Sequence, residues 1–576
     1  MAAACSEPGP RPSLVRLTEL GTTQPVPLPK RAANLGANIG GPREQSRPAV
    51  ILAPGQARSC HVVAARGSQL HVALGFRNPP TDATLEVAIR AGGKVLASVR
   101  IPAASHNEWQ RVRVPLEREG PLTLEFTSRL LGPDGRPAAA PPSTEMLIGS
   151  PRVTTPRAGR ARRVLVWISQ DTLRSDHVGA YGYGRATTAG FDRMAPRWAL
   201  FEDAVAPAPW TLPSMASQFT ARYPSFHGAV LDSVARGGKD PTIFEALAAA
   251  DFTVLGVTGN RFVSTDFGTA SGFDALWFTP ERAEDVSDLA RQALDETDQE
   301  DLALFVHYMD PHFPYSPPPP FDRQFATGYS GSINGDNFIK RSQREVNPAD
   351  LAHVEALYDG EIAYTDRQIE ALLEALATRG LLDTAVIAYS ADHGEGFLEH
   401  GKWLHTMTLY RELLQVPLAL RVPGIPGQRV ARPVSLVDLA PTLLEALGVP
   451  VPKTFQGRSL MPLMRGGSLA PAPIYAETEQ TANLETHKLA VREGRLKYAV
   501  AVARGSGPLE VVKEEAYDVV ADPQERRPLG PAPEVEPLKR HALAFLGRAR
   551  AEQPAAVPAS LTESEREQLH ALGYLQ

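Results

Sequence analysis

Hydrophobic and polar residues alternate along short segments between residues 49 and 130, and this pattern predicts a small β-sandwich. Turn-forming residues such as Gly92-Gly93 separate the segments. Alternation with a period of two, interrupted by turns at this spacing, is typical of antiparallel strands. Trp109 lies here, and a core aromatic explains it better than a sugar-binding platform. The alternating positions are Leu85-Val87-Ile89, Val95-Ala97-Val99-Ile101, Val112-Val114-Leu116 and Leu122-Leu124-Phe126.

From about residue 163 the pattern changes to continuous apolar runs that alternate with amphipathic helices. Such runs are typical of strands buried on both faces, and their alternation with helices predicts an α/β sheet. One strong helix carries Ile369, Leu372, Leu373 and Leu376 on one face and ends at Gly380. The predicted buried strands are Val164 to Ser169, Thr253 to Val257, Leu302 to His307, Ala385 to Tyr389 and Leu418 to Val422.

These patterns divide the chain into five parts. Two stretches rich in proline and small residues interrupt the periodic segments, and we interpret them as linkers. The predicted parts are an N-terminal arm or linker at 1–48, the β-sandwich domain at 49–130, a linker at 131–162, the α/β domain at 163–454 and a smaller C-terminal α+β subdomain at 455–576.

Composition narrows the range of functions. The chain has 576 residues and a net charge of −6, so it lacks the basic footprint of a nucleic-acid-binding protein. No apolar run approaches the roughly 18 residues that would indicate a transmembrane segment. The two cysteines, Cys5 and Cys60, exclude a disulfide framework.

Cys5 follows a run of small residues that is similar to the end of a bacterial lipoprotein signal. The charged and apolar regions that normally precede such a cysteine are missing, so a chance match is equally open. We therefore expect a periplasmic, secreted or lipid-anchored protein, with Cys5 as the candidate anchor.

The segment SADHGEGFLEHGKWLH, residues 390–405, carries the most concentrated chemistry. Asp392 and His393 follow a predicted buried strand, at the edge where open α/β sheets bind ligands. Their oxygen and nitrogen donors suit a divalent transition metal. Lys402 and His405 follow in the same segment, and Asp171 ends the first α/β strand, so it can converge on the same ion.

Four segments together resemble the sulfatases of the alkaline phosphatase superfamily. The resemblance runs from about Arg163 to the C-terminus and implies an alkaline-phosphatase-like sheet between helices. It also implies that Asp171, Asp392 and His393 are metal ligands and that Lys402 contacts the substrate. The segments are DTLRSDHVGAYGYGRATTAGFDRMA, APAPWTLPSMASQFTARYPSFHG, HYMDPHFPY and SADHGEGFLEHGKW.

The chain departs from the sulfatase pattern at the nucleophile. The family motif is Cys or Ser-x-Pro-Ser-Arg, and its first residue matures to formylglycine, whereas here the run begins at Thr211 and ends at Met215. We therefore expect no formylglycine. Thr172 stands where many sulfatases have a second Asp ligand. The loss of that charge favours Mn²⁺ or Zn²⁺, with Ca²⁺ and Mg²⁺ as alternatives.

These departures resemble the phosphoethanolamine and glycerol-phosphate transferases of the same superfamily. That resemblance implies an unmodified Thr211 that serves both as nucleophile and as metal ligand. His307, His312 and His405 match the histidine spacing of that branch, which implies that they neutralise developing charge or protonate the leaving oxygen.

The leading functional hypothesis is a metal-dependent hydrolase that cleaves a sulfate or phosphate ester, with phosphate chemistry favoured by Thr211. The substrate would be a small-molecule, glycan or lipid ester. A second hypothesis is a transferase, in which an acceptor alcohol replaces water. A third is an inert carbohydrate-binding or scaffold protein, although such a protein has no need to keep ligands assembled from distant segments.

Overall fold

A computed structural model shows the arrangement of most of the chain. The candidate anchor Cys5 lies outside the described residues. Those residues are 14–17, 20, 24–30, 43–106, 108–155, 161–237, 240–280, 282–297, 300–341, 345–479, 486–505, 507–563, 566–567 and 569.

The N-terminal part is a β-sandwich, as predicted. One sheet has the order β4-β9-β6-β7, and the facing sheet has the order β3-β10-β5-β8, with β1 beside β10 and β2 beside β3. Alternate residues of both sheets meet in one apolar core, which includes Phe76, Leu85 and Phe126. The strands are β1 (Leu14–Arg16), β2 (Gln24–Lys30), β3 (Arg43–Leu52), β4 (Ala57–Ala64), β5 (Gln69–Arg77), β6 (Thr84–Ala91), β7 (Lys94–Pro102), β8 (Gln110–Pro115), β9 (Gly120–Leu131) and β10 (Glu145–Thr154).

The sandwich is larger than the predicted range 49–130. The predicted arm at 1–48 contains β1, β2 and the start of β3, and the predicted linker at 131–162 contains β10. The sequence pattern did not predict β10, because Pro151 and a β-bulge between Gly149 and Arg152 interrupt the alternation of apolar and polar residues in this strand. Ser150 takes a left-handed backbone conformation, with φ of 45°, at that bulge.

Trp109 is a core aromatic, as its sequence context indicated. Its ring packs against Gly149, where a Cβ atom would lie 2.6 Å from Cζ3 of the indole. Its Nε1 donates a hydrogen bond to the main-chain oxygen of Gln45 at 3.0 Å. The glycine in β10 is therefore required by the close approach of this side chain.

The α/β part is built on the predicted strands, and the mixed α/β fold class is confirmed. Its sheet runs β19-β12-β18-β17-β11-β16-β14-β15, with β11, β14, β15, β16 and β17 parallel. The elements are β11 (Val164–Gln170), α1 (Ala189–Met194), β12 (Ala199–Val205), α2 (Thr211–Thr220), α3 (Pro224–His227), β13 (Val234–Ala235), α4 (Ile243–Ala249), β14 (Thr253–Thr258), β15 (Ala275–Phe278), α5 (Ala283–Leu294), β16 (Leu302–Tyr308), α6 (Phe321–Gln324), α7 (Pro348–Thr378), β17 (Val386–Ala391), α8 (Arg411–Leu414), β18 (Gln415–Arg421), β19 (Gln428–Val430), β20 (Val434–Ser435), α9 (Leu439–Ala446) and α10 (Met461–Met464).

The sandwich and the α/β part share one continuous sheet, because β3 pairs antiparallel with β15. Two ion pairs, one partly buried and one buried, reinforce this junction. Arg16 contacts Asp274 at 2.7 Å, and Arg47 contacts Glu296 at 2.5 Å. The sandwich therefore covers the edge strand that the α/β part would otherwise expose.

The C-terminal part is a four-stranded antiparallel sheet with one long helix across it. Leu538, Ala542 and Phe545 of that helix pack against Leu489 and Val491 of the sheet. Among the described residues, no helix has the length and apolar character that crossing a bilayer requires. The elements are β21 (Ile474–Thr478), β22 (Thr486–Glu493), β23 (Leu496–Ala503), β24 (Val511–Asp518), α11 (Glu536–Glu552) and β25 (Val557–Pro558).

Candidate active site

Three neighbouring parallel strands bring a cluster of acidic and imidazole groups to one edge of the large sheet. Asp171 follows β11 at the centre, His307 lies near the end of β16 on one side, and Asp392 follows β17 on the other. One ligand atom from each of the three lies within 4.8 Å of the others, and all three side chains are buried. This is the carboxyl edge at which open α/β sheets bind ligands.

Two carboxylate oxygens in this cluster have no hydrogen-bond donor in the part of the chain that the structure describes. They are Oδ1 of Asp171 and Oδ2 of Asp392, and both are buried. The other oxygen of Asp392 accepts hydrogen bonds from the main-chain nitrogens of Thr172 at 3.2 Å and His393 at 2.9 Å. Because a buried carboxylate charge is costly unless it is compensated, two such oxygens without hydrogen-bond donors fit a bound cation.

His393 completes the donor set. Its Nδ1 donates to the main-chain oxygen of Gly394 at 2.9 Å, so Nε2 faces the carboxylates. That nitrogen lies 3.3 Å from Oδ2 of Asp392 and 3.6 Å from Oδ1 of Asp171. Burial alone would lower the pKa of His393, but the two carboxylates outweigh it and raise the pKa to about 9. The site is therefore strongly negative and attracts positive charge.

Neighbouring imidazoles lower the pKa of the Asp171 carboxyl group. Burial alone would raise the pKa of its carboxyl group, but His307, His312 and His393 together hold the pKa well below its usual range. Asp171 is thus a carboxylate at neutral pH. Its Oδ2 lies 3.3 Å from Nε2 of His307.

Thr211 lies at the first residue of α2 and points its hydroxyl into the cluster. Its Oγ1 lies 3.3 Å from Oδ2 of Asp171 and 3.3 Å from Nε2 of His393. Trp210 at the N-cap position and the helix residues are buried, so the hydroxyl is held in a fixed place. The positive end of the helix dipole favours negative charge on that oxygen.

His312 and His405 stand together beside the carboxylate cluster. Their ring centroids are 5.0 Å apart, and the ring of His405 lies 4.6 Å from that of His393. Nδ1 of His405 lies 3.0 Å from Oε1 of the buried Glu395, which orients the ring. Burial lowers the pKa of His312. Both histidines therefore lie where sequence reasoning expected site residues.

Lys402, the predicted substrate contact, lies on the surface. It is exposed on the hairpin that follows β17, and its ammonium group forms no hydrogen bond or ion pair with the described residues. Burial first, and then the ammonium groups of Lys513 and Lys402, lower the pKa of Lys488. Lys402 therefore lies close enough to Lys488, in β22, for the two ammonium groups to repel each other.

Asn260 was missed by the sequence reasoning. Its Nδ2 donates to Oδ2 of Asp171 at 2.7 Å and lies 3.3 Å from Oγ1 of Thr211. It follows β14, which lies beside β16, so it reaches the cluster from the same edge of the sheet. The available signal was a polar side chain just beyond a predicted buried strand. The buried hydroxyl of Thr172, which has no partner among the described residues, adds a further polar group nearby.

We expect Asn260→Ala to lower metal affinity or kcat/KM by about 10- to 100-fold, because the amide fixes the orientation of a carboxylate that would bind metal. A metal titration combined with steady-state kinetics measures both effects. Asn337→Ala is the control, because its Nδ2 also donates to an oxygen atom, at 2.9 Å, but in an exposed loop. Equal behaviour of the two variants would contradict the role of Asn260.

The site combines paired acidic and imidazole donors at the carboxyl edge of a mostly parallel sheet, and these donors face a hydroxyl at a helix N-terminus. This combination defines the class as the sulfatase and alkaline phosphatase-like superfamily. Family comparison agrees with this assignment. A family model described as Sulfatase matches residues 163–449, and a second one, described as N-sulphoglucosamine sulphohydrolase, C-terminal, matches residues 398–551. The chain belongs to the sulfatase family.

Similar proteins include sulfatases and a phosphonate hydrolase. Arylsulfatase K of Xenopus laevis is 32% identical over 200 residues, which cover 33% of this chain and 36% of that protein. The match thus spans about a third of the length of this curated relative.

The phosphonate monoester hydrolase of Agrobacterium radiobacter has a TM-score of 0.54 at 18% identity, covering 70% of this chain and 99% of that one. BT4656, solved with its substrate D-glucosamine-2-N,6-O-disulfate, also has a TM-score of 0.54 at 18% identity, covering 70% and 100%. These structures show the fold.

Proposed function

We propose that the protein is a metal-dependent hydrolase that cleaves a sulfate or phosphate ester with Thr211 as its nucleophile. One observation carries the proposal. The hydroxyl of Thr211 lies 3.3 Å from an oxygen of Asp171 and 3.3 Å from a nitrogen of His393, inside a buried acidic cluster. A hydroxyl held in this way is positioned both to contact a cation and to attack an electrophile.

Asp171, Asp392 and His393 would hold the cation, together with the hydroxyl of Thr211. His307 is a further nitrogen donor, since its Nε2 also faces Asp171. A divalent cation at this position lowers the pKa of a coordinated hydroxyl and neutralises charge on ester oxygens. The mixture of oxygen and nitrogen donors, without a second Asp at Thr172, favours Mn²⁺ or Zn²⁺ over Ca²⁺.

In the proposed first step, Oγ1 of Thr211 forms a bond to the phosphorus or sulfur atom as the ester oxygen leaves with the bonding electron pair. The hydroxyl proton of Thr211 passes to Oδ2 of Asp171, to which the hydroxyl donates at 3.3 Å, and His312 or His405 supplies a proton to the leaving oxygen. Glu395 supports this role because its contact with Nδ1 of His405 fixes the orientation of the ring. Water then attacks the substituted threonine, releases phosphate or sulfate and restores the hydroxyl.

The single hydroxyl of Thr211 favours phosphate esters. A formylglycine hydrate carries two hydroxyl groups, so one can receive the sulfuryl group and the other can expel it. Threonine has only one, so water must attack the covalent intermediate directly, and phosphoryl groups allow this through a loose transition state. The occurrence of both arylsulfatases and a phosphonate monoester hydrolase among similar proteins supports a site that accepts either tetrahedral ester.

A substrate panel tests this proposal. Matched aryl sulfates, phosphate monoesters and phosphodiesters, each assayed with Mn²⁺, Zn²⁺, Mg²⁺ and Ca²⁺, should show faster turnover of a phosphate ester than of the corresponding sulfate. Faster turnover of the sulfate would reject the single-hydroxyl mechanism. Failure to bind any divalent ion after reconstitution would instead favour an inert scaffold.

A further inference from the structure

A cavity of about 390 Å³ lies between the sandwich and the turn after α5, far along the sheet from the catalytic cluster. Strands β3, β10, β5 and β8 form its floor in that order. Its charged lining consists of Arg47, Arg111, Arg113, Arg152, Asp295 and Glu296.

The strand register places several of these basic groups in a row. Arg152 of β10 is opposite His71 of β5, and His71 is opposite Arg113 of β8. Residues opposite one another in adjacent strands share a face of the sheet. Arg111 lies two residues before Arg113, so its side chain also points to this face. The basic row is therefore a consequence of the sheet and does not depend on a loop.

The carboxylates do not balance these cations. Nη2 of Arg47 donates to Oε1 of Glu296 at 2.6 Å and to Oε2 at 2.5 Å, and Nη1 of Arg111 lies 3.4 Å from Oε1. Asp295 is engaged elsewhere, because its carboxylate pairs with Arg379 at 2.7 Å. Arg113 donates to the main-chain oxygen of Asp295. Among the described residues that line the cavity, four arginines thus stand beside two carboxylates, one of which is paired with Arg379.

Arg152 is the least compensated group. It is 3% exposed, and it forms no ion pair with any residue that the structure describes. Its Nη2 reaches the main-chain oxygen of Glu296 at 3.4 Å, while its buried Nε has no hydrogen-bond partner within the described part of the chain. A buried guanidinium with an unused donor is costly unless an anion meets it.

The excess of positive charge affects the pKa values of Arg47 and Glu296. Burial lowers the pKa of Arg47, and the guanidinium groups of Arg152 and Arg111 add to that effect against the attraction of Glu296. Burial alone would raise the pKa of Glu296, but Arg47, Arg111 and Arg152 outweigh it and hold that pKa below its usual value. These directions agree with the excess of arginines over carboxylates among the described residues that line the cavity.

We propose that this cavity is a second anion-binding site, which takes a sulfate or phosphate group carried on a larger polar molecule. Guanidinium groups present paired N–H donors that match two oxygens of such a group. The volume is in the range of small-ligand sites and exceeds that of the oxyanion alone. This proposal goes beyond the hydrolase function and does not depend on it.

A purely structural role explains only part of the cluster. The Arg47–Glu296 pair is enough to fasten β3 to the turn after α5. Arg111 and Arg113 also contact this turn from β8, through Glu296 and the main-chain oxygen of Asp295, whereas the buried Nε of Arg152 has no hydrogen-bond partner among the described residues. Most of the cavity also lies outside residues 163–449, the range that the sulfatase model matches, so the catalytic fold does not account for it.

Equilibrium dialysis of the full-length, metal-loaded protein with radiolabelled inorganic sulfate at low ionic strength tests the site. We expect wild type to bind one sulfate at the catalytic cluster and another in this cavity. Arg111→Gln/Arg113→Gln should weaken the second site about tenfold or more while turnover is unchanged. Arg152→Gln should have the same effect through a different residue. Competition with inorganic phosphate then distinguishes a site selective for sulfate from one shared by both oxyanions.

Arg100→Gln/Arg129→Gln is the matched control, because it removes two exposed arginines from the opposite sheet, where both pair with Glu86. That variant should keep both sulfate sites. The proposal is overturned if the Arg111/Arg113 variant binds as much sulfate as wild type. It is also overturned if the control variant loses as much binding, since the effect would then be general charge attraction.

Discussion

Thr211→Ala should lower turnover of every ester substrate by about 10³-fold or more, because it removes the hydroxyl that lies 3.3 Å from both Asp171 and His393. The fold should survive, since the change shortens one side chain at the start of α2. Steady-state kinetics on the best substrate of the panel measures the loss.

Thr211→Ser separates the chemistry of the hydroxyl from the packing of the methyl group. Serine keeps the hydroxyl and loses only the methyl group that restricts its rotamer, so it should retain appreciable turnover. Thr220→Ala is the matched control. Thr220 is also buried in α2, but its hydroxyl donates to the main-chain oxygen of Ala216 at 2.7 Å and faces away from the cluster.

The covalent intermediate gives a second measure of the same prediction. Rapid acid quenching during turnover of a phosphate ester, followed by mass spectrometry, should show phosphothreonine at residue 211 in wild type and no modification in Thr211→Ala. The resting wild-type protein should carry unmodified threonine there. Full activity of Thr211→Ala would exclude this residue as the nucleophile, as would phosphorylation of a different side chain.

Site residues that immediately follow buried strands could be predicted from the sequence. Asp171 and Asp392 each follow a continuous apolar run, and parallel strands end at a common edge, so the pattern predicted that the two carboxylates could converge. His307 lies near the end of a third such run. The structure brings these three side chains together because β16, β11 and β17 are neighbours.

Groups that act through another side chain could not be predicted in this way. Asn260 follows β14, two strands away from β11, and its relevance depends on a strand order that the linear pattern does not contain. Glu395 lies only two residues beyond His393, yet its contact with His405 depends on the path of a loop. Side-chain partners of this kind are set by tertiary packing rather than by periodicity.

The predicted C-terminal boundary of the sandwich was wrong because of local features of β10. β10 contains a glycine, a proline and a bulge, and each of these lowers the strand signal. Tertiary contacts compensate, because β10 lies between β3 and β5 and pairs with both. The predicted linker was therefore a central strand, and the sandwich is part of the same sheet as the catalytic edge.

Removal of a carboxylate that would hold the cation is the second change for which we expect a large effect. Asp392→Ala should abolish metal binding and activity together, because it removes one of the two buried carboxylates that each have an oxygen without a hydrogen-bond donor among the described residues. Metal analysis after reconstitution, together with kinetics, measures both losses. His393→Ala should behave in the same way, since Nε2 of His393 faces both carboxylates.

Thermal unfolding with and without a chelator shows whether the loss is specific. A ligand present at 100 times its dissociation constant stabilises the folded state by about 2.7 kcal/mol, so chelation should destabilise wild type by a similar amount. Asp392→Ala should not respond to the chelator. Repulsion between Asp171 and Asp392 adds to the destabilisation of metal-free wild type, and the variant is relieved of that repulsion.

Asp366→Ala is the matched control for this experiment. Asp366 is also a buried carboxylate that accepts hydrogen bonds from two main-chain nitrogens, those of Gly190 at 2.6 Å and Phe191 at 2.9 Å. Its loss should lower stability while the response to the chelator stays as large as in wild type, because Asp366 lies outside the metal cluster. A chelator response that persists in Asp392→Ala would show that the cation binds elsewhere, and the assignment of the catalytic edge would then be wrong.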